Sequence, residues 1–346
     1  MAGKDKQNGT VDGQMRIDSP SIEFGTATIT PSKVGRELSE GPLGSSSASS
    51  KAERQEFFLP VSGFVWLFPE EVEVVDHPAF QRLGRIYQLG QAYLVYRGAT
   101  HKRLEHALGA LRIIQRMMDA VKMNSEKGDD GLERAPALSD EEERFVRLGT
   151  LLHDVGHVAA GHTVEDELNL IPKHDGDERL DLILNGTEWL DQDGRTLGAL
   201  IDGKFSRYVP KELAKKGITP STLVRLLIRK APDREKDAYK GSVDLLKDSA
   251  SIRLEVCRDM ISDTICADLL DYIHRDWYHV GKPRPFDDRL LQYMEIHRGI
   301  SGCQPGQRDA SDKFVISLGR RPSRLRKNST RSERRTTKLS CFHNPT

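Results

Sequence analysis

Three of the eleven histidines fall within Leu152-His-Asp-Val-Gly-His-Val-Ala-Ala-Gly-His162, where His153 and Asp154 follow the apolar pair Leu151-Leu152. A neutral imidazole and a carboxylate side by side at a helix end can both reach one divalent cation. Their mixed nitrogen and oxygen donors suit Mn, Fe, Zn or Mg. Two more ligands are needed to fix such a site. His106, in Arg103-Leu-Glu-His-Ala-Leu-Gly109, lies on a strongly amphipathic segment. Asp268, in Ala267-Asp-Leu-Leu-Asp-Tyr-Ile-His-Arg-Asp276, is a charge inside an otherwise apolar helical run. Buried charges of that kind are usually paired or metal-bound. Each residue alone has a plainer explanation. His106 would be a packing histidine, His153-Asp154 a helix C-terminal pair, and Asp268 a salt-bridge partner for Arg275 seven residues on. Together they spell His…His-Asp…Asp, with gaps of 47 and 114 residues, all on predicted helices. His153 and His157 are also four apart, as in zincin peptidases. Position 154 is Asp rather than Glu, however, and Gly156 interrupts the helix that motif requires, which argues against a peptidase.

The elements that must hold these residues are mainly helical. Glu70–Asp76 reads as a short helix closed before Pro78, and Ala79–Leu89 as another. Lys102–Met123 places Leu104, Leu108, Leu111, Met118 and Val121 near one face at helical spacing. Asn124–Leu138 is a polar connector. Ser139 ahead of Asp140-Glu-Glu142 fits a capping box, with Phe145, Leu148, Leu151 and Leu152 as the buried stripe. Further helices are predicted over 163–171, 174–185, 221–230 and 253–280. Gly63-Phe-Val-Trp-Leu-Phe68 is a short strand or a loop packed on the core. No internal repeat and no βαβ alternation is present.

The 346 residues allow two to three domains, or one large one with disordered ends. A 30% charged and 37% hydrophobic composition is enough to bury a real core. Residues 1 to about 52 are poor in large apolar side chains and contain Gly41-Pro-Leu-Gly-Ser-Ser-Ser-Ala-Ser-Ser50, a disordered composition. The 52 basic and 52 acidic residues balance, but unevenly: Gly319–Thr346 carries nine Lys/Arg against one acidic residue. A basic tail on an acidic body argues against a body built to coat nucleic acid. The four cysteines, Cys257, Cys266, Cys303 and Cys341, form no Cys-x-x-Cys pair and fit a reduced, intracellular protein. No signal-peptide stretch and no run near ~18 apolar residues is seen, so the expectation is a soluble, cytoplasmic chain.

Five motifs in order resemble the HD-domain phosphohydrolases, and among them the deoxynucleoside triphosphate triphosphohydrolases (the SAM- and HD-domain proteins and bacterial dGTPase-like enzymes). They are Phe80-Gln-Arg-Leu-Gly-Arg-Ile-Tyr-Gln-Leu-Gly90, Gly98-Ala-Thr-His-Lys-Arg-Leu-Glu-His-Ala-Leu-Gly109, His153-Asp-Val-Gly-His157, Gly161-His-Thr-Val-Glu165 and the Ala267–Asp276 run. The resemblance covers about residues 60–318 and, with the periodicity and composition above, gives a mainly α fold: an HD domain over residues 57–318 between a disordered 1–56 and a basic, disordered tail 319–346. It implies that His106, His153, Asp154 and Asp268 bind one divalent metal, which would polarise a phosphoryl oxygen and lower the pKa of water. By the same match His162 and Glu165 orient or activate the nucleophile, and His157 and His174 line the phosphate channel. Gln88 and Leu89 match a Gln-Leu pair that contacts the sugar 3′-hydroxyl and crowds position 2′, favouring deoxyribose. Arg103 matches a phosphate contact, and Tyr272 and Asp276 match sugar and phosphate-pocket residues. For Arg82, Arg85 and Lys102 the reading is a solvated or structural charge.

Three departures qualify the match. Leu269 stands where the family often carries Lys, Val158-Ala-Ala-Gly161 replaces a Pro-Phe-containing stretch, and the segment after Gly319 lacks the apolar periodicity of the family's next helix. The expectation is a metal-dependent hydrolase that converts deoxynucleoside triphosphates to deoxynucleoside and triphosphate. The alternatives are a phosphohydrolase for another nucleotide or phosphoester, and a catalytically impaired nucleotide-binding module. The resemblance further implies a homo-oligomer. From composition and charge no membrane contact is expected, and the basic tail, read first as a solvated segment, is the one part whose charge would attract nucleic acid.

Overall fold

Apolar alternation on a short segment and helical periodicity on longer ones set the architecture. A computed structural model describes residues 54–125, 135–228, 252–263, 265–284, 287–298 and 314–318, all within the compact unit Ser50–Thr346. The expectations for residues 1–53 and for the tail 319–346 lie outside the described residues. Strands β1 (Gln55–Leu59) and β2 (Gly63–Leu67) form an antiparallel hairpin with Gln55 opposite Leu67 and Leu59 opposite Gly63. Gly63 closes the turn at φ 73°, a conformation that favours glycine. Val65 and Leu67 turn inward while Phe64 faces out, the period-2 pattern of a strand with one wet side.

Helix α1 (Pro69–Asp76) starts on a proline, one residue before the expected start, and stops before Pro78 as predicted. The predicted helix over Ala79–Leu89 does not form as a unit. The chain makes one turn, α2 (Pro78–Gln81), then a 3₁₀ turn over Arg82–Arg85, and leaves helical geometry at Ile86. The reason is tertiary. Residues 86–88 run antiparallel to 101–103, with Arg103 N–H donating to Ile86 O at 3.0 Å and Gln88 N–H to His101 O at 3.0 Å. Those pairings outweigh local helix propensity.

Helix α3 (Arg103–Ser125) is the central element, with α4 (Asp140–Leu152) on one side. The capping box of α4 is present as predicted: Ser139 Oγ accepts from Glu142 N–H at 3.2 Å and Glu142 Oε2 from Ser139 N–H at 2.9 Å. Phe145, Leu148, Leu151 and Leu152 are fully buried. Next come a π-helical turn over Thr163–Glu167, α5 (Asp177–Asn185), α6 (Leu197–Phe205), α7 (Lys211–Lys215) and α8 (Pro220–Ile228). The single helix predicted over 253–280 is two, α9 (Leu254–Ile261) and α10 (Ala267–His279). Short polar residues at Ser262 and Asp263 favour a turn over helix continuation, and Cys266, extended, caps α10 by accepting from Leu269 N–H at 3.3 Å. Helix α10 packs along α3, so α3 is flanked by both helices that carry the remaining candidate ligands. Strands β3 (Met294–Arg298) and β4 (Phe314–Leu318) pair antiparallel. Among the described residues, no helix is long and apolar enough to cross a membrane.

Two charges inside this core are tied together. Arg147 donates from Nε to Glu71 Oε1 at 2.7 Å and from Nη2 to Glu71 Oε2 at 2.6 Å, and both residues are buried. Removing one partner of such a pair leaves a buried charge uncompensated, at a cost of about 3–5 kcal/mol. Arg147→Met should therefore lower the urea midpoint sharply, and adding Glu71→Gln should restore part of the loss. On α9, Asp259 lies one turn from both Glu255 and Asp263. Burial, then repulsion from Asp263 and Glu255, raises its carboxyl to about 6 against the pull of Arg258. A folded carboxyl above its unfolded value of about 3.9 binds protons preferentially in the native state, so its ionisation lowers stability as pH rises from about 4 to 6. Asp259→Asn should raise the melting temperature at pH 7 to 8 and leave it nearly unchanged at pH 4.

Candidate metal centre

Three helix segments deliver four acceptor groups to one point. His106 lies in the first turn of α3, His153 and Asp154 follow the last turn of α4, and Asp268 opens α10. The tautomer of each imidazole is set from behind. His153 Nδ1–H donates to Thr150 O at 2.7 Å, a carbonyl left free at the helix end. His106 Nδ1–H donates to Asp271 Oδ2 at 2.9 Å. Both Nε2 atoms therefore face inward, 3.1 Å apart. Asp268 Oδ1 lies 3.1 Å from His106 Nε2 and 3.5 Å from His153 Nε2. The Asp154 oxygens lie 3.7 Å from His106 Nε2 and 3.6 Å from His153 Nε2.

Ligands held at ~2.1 Å from one cation sit ~3.0–3.5 Å from each other. The separations among His106, His153 and Asp268 fall in that range, and those to Asp154 are slightly wider. Electrostatics agree. Burial disfavours a charged His106, but Asp268, Asp271 and Asp154 outweigh it and raise the imidazole to about 10. Burial also opposes ionisation of Asp154, yet His153, Arg103 and His157 hold its carboxyl well below the usual range. The site is a buried excess of negative charge that a proton or a cation must balance. His106, His153 and Asp154 can hold a metal ion together, with Asp268 beside both histidines.

The surroundings fix these groups. Asp271 is locked by Arg275, whose Nε and Nη2 donate to its two oxygens at 2.8 and 2.9 Å. Ser62 in the β1–β2 turn bonds to both residues. Gly109 on α3 leaves room for this pair, since a Cβ there would overlap Arg275 Nη2 and Asp271 Oδ1. Arg103 Nη1 donates to Asp154 Oδ2 at 2.6 Å, so the predicted phosphate contact also braces a candidate ligand. Arg82 donates to the carbonyls of Val155 and His157, and Arg179 to that of Gly156, clamping the loop after Asp154. Arg82 is thus a structural charge, and Lys102 stacks its ammonium 3.0 Å from the Tyr87 ring centroid.

A second set of residues abuts Asp154. His157 Nε2 lies 3.4 Å from Asp154 Oδ1, and its Nδ1 lies 3.3 Å from Glu165 Oε1. His174 stacks on His157 at 3.5 Å and donates from Nδ1 to Glu165 Oε2 at 2.8 Å. Burial pushes Glu165 up, but the two histidines outweigh it and bring the carboxyl to about 2. His162 does not pair with Glu165. It is exposed, and its Nδ1 lies 2.9 Å from Asp166 Oδ2. The π-helical turn, wider than an α-turn, sends Glu165 inward and leaves Asp166 one turn from His162. His162 still meets the set edge-on, 4.9 Å from the His157 ring.

The remaining predicted residues lie around this core. Gln88 and Leu89 are half-buried, and Gln88 Oε1 has no hydrogen-bond partner among the described residues. Tyr272 is half-buried with its ring 6.5 Å from that of His106. Asp276 accepts from the buried His101 Nε2 at 2.7 Å. His101, Asp271 and Gly109 were not among the predicted residues. The only sequence signal was their place within the motifs that carry His106 and Asp268. Outer-shell partners of this kind typically contribute 10–100-fold to metal affinity. Gly109→Ala and Asp271→Asn should each weaken metal binding by about that factor in competition with a chelator, while circular dichroism stays native.

No family model matches the chain. Curated relatives do. The Bacillus subtilis protein YwfO, uncharacterized, is 27% identical over 270 residues, 77% of this chain and 50% of that protein. The human deoxynucleoside triphosphate triphosphohydrolase SAMHD1 is 35% identical over 249 residues, 68% of this chain and 35% of SAMHD1. Its Gallus gallus counterpart is 35% identical over 273 residues, 75% of this chain and 39% of that protein. The chain spans half or less of the length of these relatives. With a mainly helical fold and a buried His/Asp cluster drawn from three helices, the chain is a relative of the HD-domain phosphohydrolases.

Proposed function

We propose that the protein is a metal-dependent phosphohydrolase that cleaves deoxynucleoside triphosphates into deoxynucleoside and triphosphate. The observation that carries the reading is the meeting of His106 Nε2 and His153 Nε2 with each other and with Asp154 and Asp268 oxygens at 3.1–3.7 Å, beside the buried His157 and Glu165 and the half-buried His174. A bound divalent cation would neutralise charge developing on phosphoryl oxygens and lower the pKa of water. The chain's own groups do the rest. Glu165, held ionised, keeps His157 and His174 oriented, and His157 with His162 positions the attacking water and handles its proton. Water attacks the α-phosphorus and the bond from phosphorus to the 5′-oxygen breaks. The 5′-oxygen leaves with a proton, and the triphosphate keeps the oxygen that came from water. Arg103 binds a phosphate oxygen, His174 lines the channel, and Gln88, Leu89, Tyr272 and Asp276 hold the sugar, with Leu89 crowding a 2′-hydroxyl. The protein acts in the cytoplasm as a homo-oligomer on this reading, and any nucleic acid is met by the basic tail.

A second reading rests on Leu269, half-buried beside Asp268, where the triphosphohydrolases often carry Lys. One phosphate contact fewer favours a nucleotide or phosphoester of lower charge. A hydrolysis assay swept over Mn, Fe, Zn and Mg, with each dNTP, ribonucleotide and monophosphate, separates the two. The expected result is triphosphate and deoxynucleoside from dNTPs, abolished by His153→Ala with Asp154→Ala. Turnover confined to other phosphoesters would favour the second reading, and a folded, metal-loaded chain inert on all of them would defeat both.

A further inference from the structure

His101 lies outside the metal centre and outside the His157–Glu165–His174 set, yet its side chain is fully buried. It holds two walls at once. Its backbone oxygen accepts from Gln88 N–H at 3.0 Å, which ties down the loop carrying Gln88 and Leu89. Its Nε2–H donates to Asp276 Oδ1 at 2.7 Å, across to the far end of α10. The ring is held in turn. It stacks on His279 at 4.2 Å with the planes 16° apart, and His279 Nδ1 donates to Gly98 O at 3.2 Å. Gly98 permits that approach, because a Cβ there would stand 2.6 Å from His279 O. An ionised carboxylate only accepts, so the short bond requires the proton on His101 Nε2. Asp276 itself keeps 17% of its side chain exposed, so the carboxylate is fixed from behind and reachable in front.

We propose that His101 is a positioning residue for the sugar pocket: it sets Asp276 on α10 and Gln88 on the facing loop in one register. The inference rests on the reading of Gln88 and Asp276 as substrate contacts given above. A carboxylate left to rotate would have to be ordered on binding, and misplacement by about 1 Å at such a contact is costly. The competing view is that His101 only fills space under His279. The two views differ in what a glutamine should do. Gln places an amide donor near the Nε2 position but cannot reproduce the imidazole stack.

The test compares kcat, KM and bound metal for wild type, His101→Ala, His101→Gln, Asp276→Asn and the His101→Ala/Asp276→Asn double variant. The substrate is the dNTP that wild type turns over fastest. Loss of a charge-assisted hydrogen bond should raise KM about 10- to 100-fold in His101→Ala, with kcat and metal content near wild type. His101→Gln should recover most of the loss. In the Asp276→Asn background, His101→Ala should add less than about twofold, because the two act through one contact. A wild-type KM in His101→Ala, an equal loss in His101→Gln, or fully multiplicative effects would overturn the proposal. If His101→Ala does not fold, His101→Gln beside Asp276→Asn decides: a raised KM in Asp276→Asn alone supports it, and the reverse refutes it. A wild type inert on every dNTP is a separate result, which overturns the underlying reading and this inference together.

Discussion

The fold is organised around a buried surplus of negative charge. Two imidazole lone pairs, each 3.1–3.7 Å from oxygens of two carboxylates, with Asp154 nearly inaccessible, repel unless a positive charge sits among them. Such a group can only be assembled by elements rigid enough to resist that repulsion. Helix α3 supplies the rigidity, since α4 and α10 pack on it directly and each delivers its ligands from a terminus rather than from mid-helix. Behind the centre, Arg275 and Arg103 pair with Asp271 and Asp154, so positive charge is already distributed around the rim. The remaining deficit lies at the middle, where a cation fits.

Helix termini do much of the positioning. His153 takes a carbonyl that α4 leaves unsatisfied, and this one bond both closes the helix and aims Nε2 at the centre. The chain then turns through Val155–His157 with its carbonyls held by Arg82 and Arg179. It passes Ala160 at φ 58°, a left-handed conformation rare for a residue with a Cβ. The π-helical turn follows within three residues. Strained backbone and a rare helix type side by side, next to the histidine set, mark the segment where local propensity has yielded to the placement of His157 and Glu165.

What the sequence could reveal divides along the same line. Ser139 with Glu142 was legible because a capping box is a local device, complete within four residues. His106, His153, Asp154 and Asp268 each had a plainer reading alone, and only their order across the motifs pointed to one place, where the structure brings them together. The helix expected over Ala79–Leu89 was not to be, because the pairing of 86–88 with 101–103 is decided by residues well beyond one helical turn along the chain. Asp268 pairing with Arg275 looked reasonable at i+7, yet Arg275 takes Asp271 one turn away. The exchange of partners between His162, Glu165 and Asp166 depends on one extra residue in a turn, which no periodicity announces. His101 and Gly109 were silent for the same reason. Their importance lies in what faces them across the fold, 175 positions away for the bond from His101 to Asp276.

The centre and its walls therefore answer different questions. Two histidines and two carboxylates around a cation suit the hydrolysis of many phosphoesters, because the charge they help stabilise is common to all of them. Discrimination must come from groups that touch what differs between substrates, the sugar and the length of the phosphate chain. On the proposed reading those groups are Gln88 and Leu89 on one loop, Tyr272 and Asp276 on α10, and Leu269 at its start. Leu269 is half-buried and apolar one residue after Asp268, so it adds no charge where a long phosphate chain would lie. His101 bonds to the loop and to Asp276 alike, so the end proposed for the sugar is firmly braced. On the proposed reading, a pocket firm at the sugar and lean in phosphate contacts would select on the nucleoside first, and Arg103, already paired with Asp154, would be left to read the phosphates.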